Sequence, residues 1–526
     1  MSKSTSRELM LLFLSTALTG VNISEKKLQL YLIKELLLYE GNGRIVYWDD
    51  VDTLLAEHGY AVTFTRAKEL LLSTNLFRLE GTLLLTNETV QIDTFSFEPK
   101  ELLAIIDEIE PAGSAMNSEH IRQAISKGLK WCTDITLKSK ANGLEGLPAM
   151  LSCNGTNDEI IGLTAAGTAV YDALSLFSEM SHHLLTSDKS KNSEVFCFLT
   201  KCTLSFQCVD EGWDYGGFAP LEDQPEAFHP TVDATCLAIL ALSSFFSCRD
   251  KISEVTDIDI NELLPHISKA IVDGLSFLFR MQLPDGAFGN YRYQNETKGE
   301  LFITQPHENS TRFVLAAMGA SKGSGVFEYL GKEDFFGKCD TVISSIFTYL
   351  CNHISSSDGL WFPYFALTQN NLPYDDGLAA TARVGRSLKA VWFGFKDKRR
   401  EVADILQNFA KHCLRSYNGH EAVSYYRFRT PTIDGYSTYF NWRCRLDEVV
   451  SYTLLEMYLI YDIPHDPCVW LYIGKTVESI LKRQHTVHGH WKDTITGKPY
   501  IAPTLAAVEL LDCYLLAINK KSSLIC

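Results

Sequence analysis

The chain has 526 residues, more than one ordinary hydrophobic core holds, so two or more domains are expected. Its hydrophobic content of 46% and charged content of 21% are typical of a globular protein that folds in water. The formal net charge of −16 argues against broad nucleic-acid binding, which requires a basic surface.

The fourteen cysteines are scattered without a repeated CxxC pair, which favours free thiols in a reducing cytosol. The apolar runs, such as 236–246, are shorter than the roughly 20 residues that a membrane-spanning helix needs. An apolar run at 9–14 follows Lys3 and Arg7, but Glu8 interrupts it and no A-x-A cleavage site follows. We therefore expect a cytoplasmic protein with no cleaved signal and no membrane contact.

The N-terminal part predicts a small helical domain that ends in a β-hairpin. Apolar spacing predicts helices at 9–18, 26–39, 48–58 and 63–72. The next segment, 76–85, has the pattern of a hairpin with Glu80-Gly81 at its turn. This order of elements resembles a winged helix-turn-helix. Pro111 and Gly113 then mark a boundary, which predicts a domain at 1–112 and a second domain at 113–526.

The resemblance implies that the helix at 63–72 either reads DNA or contacts another protein. In a DNA-reading domain, Arg66 and Lys68 would be the nucleic-acid-binding residues. The first hundred residues hold ten Lys and Arg against thirteen Asp and Glu, so the charge favours a protein partner over DNA.

From residue 113 onward, one pattern recurs with a period of roughly 50–70 residues. An amphipathic helix is followed by a turn rich in glycine and aromatic residues, and then by a helix rich in small residues. The six small-residue helices begin near Thr164, Pro230, Ser310, Gly377, Asp447 and Pro503. One hairpin cannot bury its own apolar face, whereas stacked neighbours can. The predicted fold is mainly α: an (α/α)6 toroid of six helical hairpins preceded by the winged-helix-like domain.

Three of the turns carry a glutamine ahead of glycine and an aromatic residue. They are Gln207 with Gly212-Trp213, Gln282 with Gly286-Ala287-Phe288, and Gln484 with Gly489-His490-Trp491. These segments resemble the Gln/Trp repeats of squalene and terpene cyclases and of protein prenyltransferase β-subunits, over about residues 120–520. The resemblance implies an α/α toroid in which each glutamine ties a helix end to the aromatic turn. It carries little information about chemistry.

The catalytic motifs of those families are not matched. Class II terpene cyclases use an Asp within DxDDT, and the corresponding tract at 231–235 keeps only Asp233. Asp233 is therefore either an acid or, as we favour, a residue that caps or pairs locally. Prenyltransferases hold zinc with an Asp and a Cys two residues apart, whereas Asp233 and Cys236 are three apart. We predict no metal and no cofactor.

The residues near the starts of the small-residue helices are polar and of mixed charge. The expected ligand-binding residues are His229, His307, Arg312, Tyr374, Arg383, Arg443, Arg445, Asp447 and Glu448. Such a set suits an anionic or sugar-like ligand, because helix N-termini favour anions and arginine binds phosphate or carboxylate with two donors. The alternative, which we favour, is a network of salt bridges that holds the ring together.

Four carboxylates are candidates for acid and base: Asp233, Glu308, Asp375 and Asp376. Adjacent residues of a helix point roughly 100° apart, so only one of the pair 375–376 would face a given substrate atom. The missing motifs favour a catalytically degenerate toroid that acts as a binding or scaffold protein in a multi-protein assembly, in bacterial regulation or antiviral defence. The alternatives are an enzyme for a polar or anionic substrate, and an atypical class II terpene cyclase that uses Asp233.

Overall fold

The computed structural model of the protein describes part of the chain. The described residues are 32–33, 36, 46–47, 69, 71–72, 76–80, 83–86, 90–92, 95–97, 118–143, 146–147, 167–184, 188–219, 230–290, 292–294, 301–303, 306, 308–355, 359–361, 374–416, 426–432, 435–441, 446–465, 467–492, 499 and 501–523. The chain divides into two compact units. The smaller comprises Met1–Asn117, Ala410–Glu421 and Pro464–Lys475, and the larger comprises Ser118–Phe409, Ala422–Ile463 and Thr476–Cys526.

The described residues of the smaller unit include five short strands. They are β1 (Val46–Tyr47), β2 (Phe77–Glu80), β3 (Leu83–Thr86), β4 (Val90–Ile92) and β5 (Phe95–Phe97). Strands β1, β3 and β2 form an antiparallel sheet in that order, and β4 pairs with β5. The predicted hairpin at 76–85 is confirmed, but Glu80 lies opposite Leu83, so the chain reverses one residue later than predicted. The winged-helix resemblance stays a prediction, because most of its helices lie outside the described residues.

The described residues after 117 form fifteen α-helices and two β-hairpins. The helices are α1 (Ser118–Ala141), α2 (Gly167–Glu179), α3 (Lys189–Ser205), α4 (Val232–Ser247), α5 (Arg249–Val255), α6 (Ile260–Arg280), α7 (Glu308–Ser324), α8 (Val326–Leu330), α9 (Asp334–Asn352), α10 (Tyr374–Ser387), α11 (Lys389–Gly394), α12 (Arg399–Ser416), α13 (Leu446–Leu459), α14 (Pro467–Arg483) and α15 (Ile501–Ser523). The hairpins are β6 (Arg292–Gln294) with β7 (Leu301–Ile303), and β8 (Tyr426–Thr432) with β9 (Gly435–Asn441).

Six helices form a closed inner ring in the order α2, α4, α7, α10, α13 and α15, and α15 packs against α2. Four outer helices cover this ring, with α1 against α15, α3 against α2, α6 against α4 and α9 against α7. In the fifth and sixth hairpins, Leu406 of α12 lies beside Gly385 of α10, and Ser451 of α13 hydrogen-bonds Thr476 of α14 at 2.9 Å. The predicted toroid of six helical hairpins is therefore confirmed.

The glutamine turns fasten neighbouring hairpins. The side-chain amide of Gln207 donates to the carbonyl oxygen of Gly216 within its own turn and to that of Ala270 on the next outer helix, both at 3.0 Å. Gln282 donates in the same way to Gly286 at 3.3 Å. Gln207 thus ties its own turn to the neighbouring outer helix, and Gln282 holds its own turn. The structural role predicted for these glutamines is confirmed.

The aromatic residue of four turns is tied to the inner helix that follows it. Its backbone N–H donates to a buried threonine in the first turns of that helix: Phe218 to Thr235, Phe288 to Thr311, Trp361 to Thr381 and Trp491 to Thr504. The four rings are fully buried. The turn therefore fixes where each inner helix begins, and so where its first polar side chains lie.

The last turn closes the ring onto the first hairpin. Gln484 donates to the carbonyl oxygens of Gly489 at 2.9 Å and of Ala124, on α1, at 2.8 Å. Gly489 has a φ of 79°, and a Cβ at this position would lie 2.6 Å from the Cβ of Lys127. Only glycine fits so close to the outer helix in this backbone conformation.

Helix α15 is long and apolar enough over Ile501–Lys520 to span a membrane by length and composition, although 56% of that stretch is buried inside the structure. Helices α4 and α5 together pass the same test, but they meet at a bend of 71°. The sequence analysis did not predict a helix of this apolar length, because it considered uninterrupted apolar runs only. In α15 small residues of intermediate polarity join several short runs into one long apolar stretch. The helix packs against α1, α2 and α13.

Candidate functional site

The inner ring carries charged side chains, and the first group surrounds Asp233. This residue lies in the first turn of α4, which Thr231 caps by accepting a hydrogen bond from the Ala234 N–H at 3.0 Å. Ser310 Oγ donates to Oδ1 of Asp233 at 2.6 Å, and Asn309 Nδ2 donates to Oδ2 at 3.1 Å. Burial raises the pKa of Asp233, whereas the hydrogen bond from Ser310 acts to lower it. Both carboxylate oxygens are therefore satisfied.

One turn along α7, an ion pair lies next to this carboxylate. Glu308 is fully buried, and its Oε1 lies 2.9 Å from Nε of Arg312, whose side chain is 16% exposed. Arg312 also donates to Oδ1 of Asn309, which in turn holds Asp233. Burial raises the pKa of Glu308 against the opposite effect of Arg312, and burial lowers the pKa of Arg312 to about 10. The pair is a close charge contact rather than a well-aligned hydrogen bond, since no oxygen of Glu308 has one among the described residues.

Arg383 of α10 completes this first group. It is half-buried, and its positive charge acts on both Glu308 and Arg312. Four residues singled out in the sequence, Asp233, Glu308, Arg312 and Arg383, therefore lie together on three successive inner helices. They form much of the salt-bridged network that the sequence favoured.

A second group lies one turn further along α10. Arg386 binds Glu509 of α15, with Nη2 3.2 Å from Oε1, and stacks 3.8 Å from the ring centre of Tyr452. Tyr452 donates its hydroxyl to the same Glu509 oxygen at 2.9 Å. Burial works to lower the pKa of Arg386, but Glu509 and Tyr452 raise it above its usual value. Glu509 is thus held in place by two donors while 30% of its side chain stays exposed.

Glu456 of α13 also belongs to this second group. It is 5% exposed, and its oxygens lie 3.6 Å from Nζ of Lys389 and 3.7 Å from Nε of Arg386. The negative charge of Glu456 raises the pKa of Lys389, although burial acts against it. A buried carboxylate shared by two cations is costly to leave unpaired, so this contact anchors the second group.

Asp172 of α2 is influenced by charges of both groups, but unlike Glu308 and Glu456 it has no ion-pair partner among the described residues. Its Oδ2 is buried and has no hydrogen-bond partner among the described residues. Burial and then the charge of Glu509 raise its pKa to about 8, while Arg312 and Arg386 act in the opposite direction. Those three residues belong to three other inner helices, α15, α7 and α10. Charges from across the ring therefore act on Asp172, and burial favours its protonated form.

The other residues singled out in the sequence lie elsewhere or are not described. Glu448 is paired with Arg483 of the outer helix α14, and Asp447 lies half-buried beside it. For Tyr374, Asp375 and Asp376 the backbone of α10 alone is described. Six residues lie outside the described part of the chain: Arg66, Lys68, His229, His307, Arg443 and Arg445. Their roles stay predictions.

The sequence did not reveal Asp172, Arg386, Glu456 and Glu509. Arg386 and Glu456 lie further along their helices than the residues expected from the sequence. Asp172 and Glu509 lie about as far along theirs as Arg312 and Arg383 do, but they were not selected. The available signal was a charged residue inside a helix of otherwise apolar and small residues, because such a charge is seldom buried without a partner or a role.

A cavity of about 400 Å³ lies away from this centre. It is lined by outer elements that include Cys351, Arg400 and Glu401. We do not assign the site there, because none of the charges that converge inside the ring borders it.

Together, fold and site define an α/α toroid with a charged interior. Among solved structures, the chain is similar to a D-mannose isomerase (TM-score 0.49, 10% identity, 76% of this chain and 97% of that chain). It is also similar to an unsaturated glucuronyl hydrolase from Streptococcus agalactiae (0.46, 12%, 76% and 92%) and to cellobiose 2-epimerase from Bacillus thermoamylovorans (0.45, 12%, 70% and 92%). Similarity at this level carries no argument about activity.

No protein-family model and no curated protein matches the sequence. What the protein does must therefore be inferred from the side chains inside the ring.

Proposed function

We propose that the protein is an enzyme that carries out acid–base chemistry on a small polar substrate inside the toroid. The observation that carries this proposal is the carboxyl group of Asp172, which has an unsatisfied buried oxygen and a pKa of about 8. A carboxyl group that stays protonated at neutral pH can donate a proton to a substrate oxygen. Its missing hydrogen-bond partner would then be the substrate.

Glu509 is the proton acceptor in this proposal. Its carboxylate is oriented by Tyr452 at 2.9 Å and Arg386 at 3.2 Å, and its charge acts directly on Asp172. A carboxyl group with a raised pKa beside a second carboxylate is a recurrent arrangement for an acid and a base. Glu509 would take a proton from a substrate hydroxyl, from carbon next to a carbonyl, or from water.

The substrate class follows from the charges around these two groups. Arg312, Arg383 and Arg386 converge on the ring interior from α7 and α10. Arginine pairs well with carboxylate, phosphate and vicinal hydroxyl groups. A hydroxylated substrate, neutral like a sugar or anionic like a sugar acid, suits this lining. Asp233, which keeps its hydrogen bonds to Ser310 and Asn309, would position Arg312 rather than exchange protons.

The same contacts weigh on the other hypotheses. An atypical terpene cyclase would place its acid in an apolar, aromatic cavity, whereas Asp233 contacts a serine, an asparagine and, through the latter, an arginine. The scaffold hypothesis does not explain why Asp172 is buried with neither a hydrogen-bond donor to Oδ2 nor an ion-pair partner among the described residues. The cytoplasmic location, and a protein or DNA partner for residues 1–112, remain proposals without a structural test.

Proton NMR in D2O tests the proposal, because it detects each of the reactions that this acid and base could perform. The full chain is incubated with neutral monosaccharides and disaccharides, sugar acids and sugar phosphates, one at a time. Hydrolysis, isomerisation and exchange of a carbon-bound proton for deuterium all change the spectrum. We expect one of these changes for at least one hydroxylated compound, with a rate that falls above about pH 8 as Asp172 loses its proton.

Asp172→Asn is expected to lower that rate by roughly 100- to 10,000-fold. The matched control is Asp134→Asn, the same change at an exposed position of the outer helix α1, which should leave the rate unaltered. If no compound reacts and native mass measurement finds a retained partner chain, the scaffold hypothesis replaces the enzyme. Equal rates for the two variants would remove Asp172 from the reaction.

A further inference from the structure

A second polar cluster lies where the ring closes, outside the site described above. Two consecutive histidines, His182 and His183, follow α2 in a short 3-10 turn, Ser181–Leu184. Their rings lie 4.1 Å apart between centres, and both face Asp512 of α15. Nε2 of His183 is 2.8 Å from Oδ1 of Asp512, and Nε2 of His182 is 3.7 Å from the same oxygen.

These distances can be compared with the spacing of ligands around a small metal ion. The three candidate ligand atoms all lie within 4.8 Å of one another. Nitrogen and oxygen ligands lie about 2.0–2.2 Å from Zn²⁺, so at tetrahedral angles two of them are separated by roughly 3.3–3.6 Å. The observed separations of 2.8 and 3.7 Å lie on either side of that range. Side-chain rotations that lengthen the first separation and shorten the second would bring these two pairs into that range.

We propose that His182, His183 and Asp512 bind a divalent transition-metal ion, for which zinc is the probe. Two imidazoles and one carboxylate form a ligand set that binds such ions in preference to magnesium or calcium. In the part of the chain that the structure describes, no fourth protein ligand joins the group. The side chain of His182 is 44% exposed, so water reaches the remaining coordination position.

The surroundings hold the three residues in place before any ion binds. Ser181 and Leu184 are buried on either side of the histidine pair, and Leu511 is fully buried beside Asp512. The cluster joins α2, the first inner helix, to α15, the last, across 329 residues of sequence. A metal ion here would link the two ends of the ring. The sequence predicted no metal site, because the consecutive histidines become a ligand set only when α15 closes the ring.

Zinc binding to the full-length protein tests the proposal, measured by competition with a chromophoric chelator after metal removal. We expect one equivalent of zinc to bind wild-type protein. His182→Gln should weaken that binding by more than about 100-fold, since removing a ligand costs at least as much as disturbing the residues that orient one. This variant suits the test because His182 is exposed and makes no close hydrogen bond with Asp512, so the fold should tolerate it.

The matched control is His488→Gln, at an exposed histidine of the last glutamine turn, where three histidine rings stack. It should retain wild-type affinity. Zinc should also raise the unfolding temperature of the wild type and of the control, but not of His182→Gln, because a bound ligand stabilises only a protein that binds it. Unchanged affinity in His182→Gln, loss of binding in the control, or no zinc binding by the wild type would each overturn the proposal.

Discussion

Asp172 and Asp233 lie on adjacent inner helices, yet their surroundings differ. Both carboxyl groups are half-buried, and burial raises the pKa of both. Asp233 receives hydrogen bonds from Ser310 and Asn309, one on each oxygen. Asp172 has a buried oxygen that no described residue satisfies. The first carboxylate belongs to a finished network, and the second has an oxygen that this network does not satisfy.

This difference separates a residue that maintains structure from one that is available for chemistry. A satisfied buried network makes a core rigid and fixes its geometry. An unsatisfied buried group costs free energy of folding, and proteins retain such groups mainly where function uses them. Variants of the two regions should therefore respond in opposite directions when stability is measured.

The largest effect is expected for Arg312→Ala. The change leaves Glu308, which is fully buried, without its closest counter-charge, and it removes a hydrogen bond to Asn309. Breaking one side of a buried ion pair costs about 3–5 kcal/mol of unfolding free energy. Urea denaturation measures it. Arg122→Ala, which removes an exposed pair with Glu119, is the matched control and should cost about 0–1 kcal/mol.

Asp233→Asn is expected to destabilise the protein by about 1–3 kcal/mol. The new amide places a donor against Ser310 Oγ or Asn309 Nδ2, both of which now donate to the carboxylate. One buried donor then loses its acceptor. Urea denaturation at pH 7 gives the value. A variant as stable as the wild type would mean that the network around Asp233 is not the finished structure described here.

Asp172→Asn is expected to stabilise the protein at neutral pH and to change its pH dependence. Between about pH 4 and pH 8 the folded chain holds the Asp172 proton while the unfolded chain has released it, so wild-type stability falls as pH rises. The variant lacks this contribution. Its advantage over wild type should grow by about 1–2 kcal/mol between pH 6 and pH 7.5, as measured by denaturation at both values. A difference in unfolding free energy between variant and wild type that is the same at both pH values would show that the pKa of Asp172 is not raised.

The smallest effect is expected for Ser175→Ala, one turn along α2 from Asp172. Its hydroxyl makes only long hydrogen bonds, 3.2 Å to Ser244 and 3.4 Å to Glu179. Their loss should change the unfolding free energy by less than about 0.5 kcal/mol. Thermal denaturation is sensitive enough to measure this. A larger loss of unfolding free energy would show that the structural network includes the region around Asp172.

The ring itself could be predicted from the sequence because each hairpin repeats the same local chemistry. Gln207, Gln282 and Gln484 mark turns whose glycines and aromatic residues are close in sequence, so their contacts are largely local. The later insertion at 426–441 gave no such pattern. It forms the two-stranded hairpin β8–β9, which a search for helical repeats does not detect.

The site was predicted only in part, for a geometric reason. Asp233, Glu308 and Arg312 lie in the first turns of their helices, where the repeat aligns them, and Arg383 lies further along α10. Asp172 and Glu509 come together only across the closed ring, from its first and last helices. Sequence periodicity predicts which face of a helix points inward. It does not predict the height of a residue along the ring axis, and so it does not predict which residues of the other five helices it meets.

The hydrogen bond from Gln484 to Ala124 joins residues that are 360 positions apart. A ribosome adds about 5–20 residues per second, so the first hairpin waits roughly 20–70 s for its final neighbour. During that time the face of α1 that α15 will cover is exposed to other chains. We expect the nascent protein to need a chaperone through this interval, and a chain that stops before α15 to aggregate.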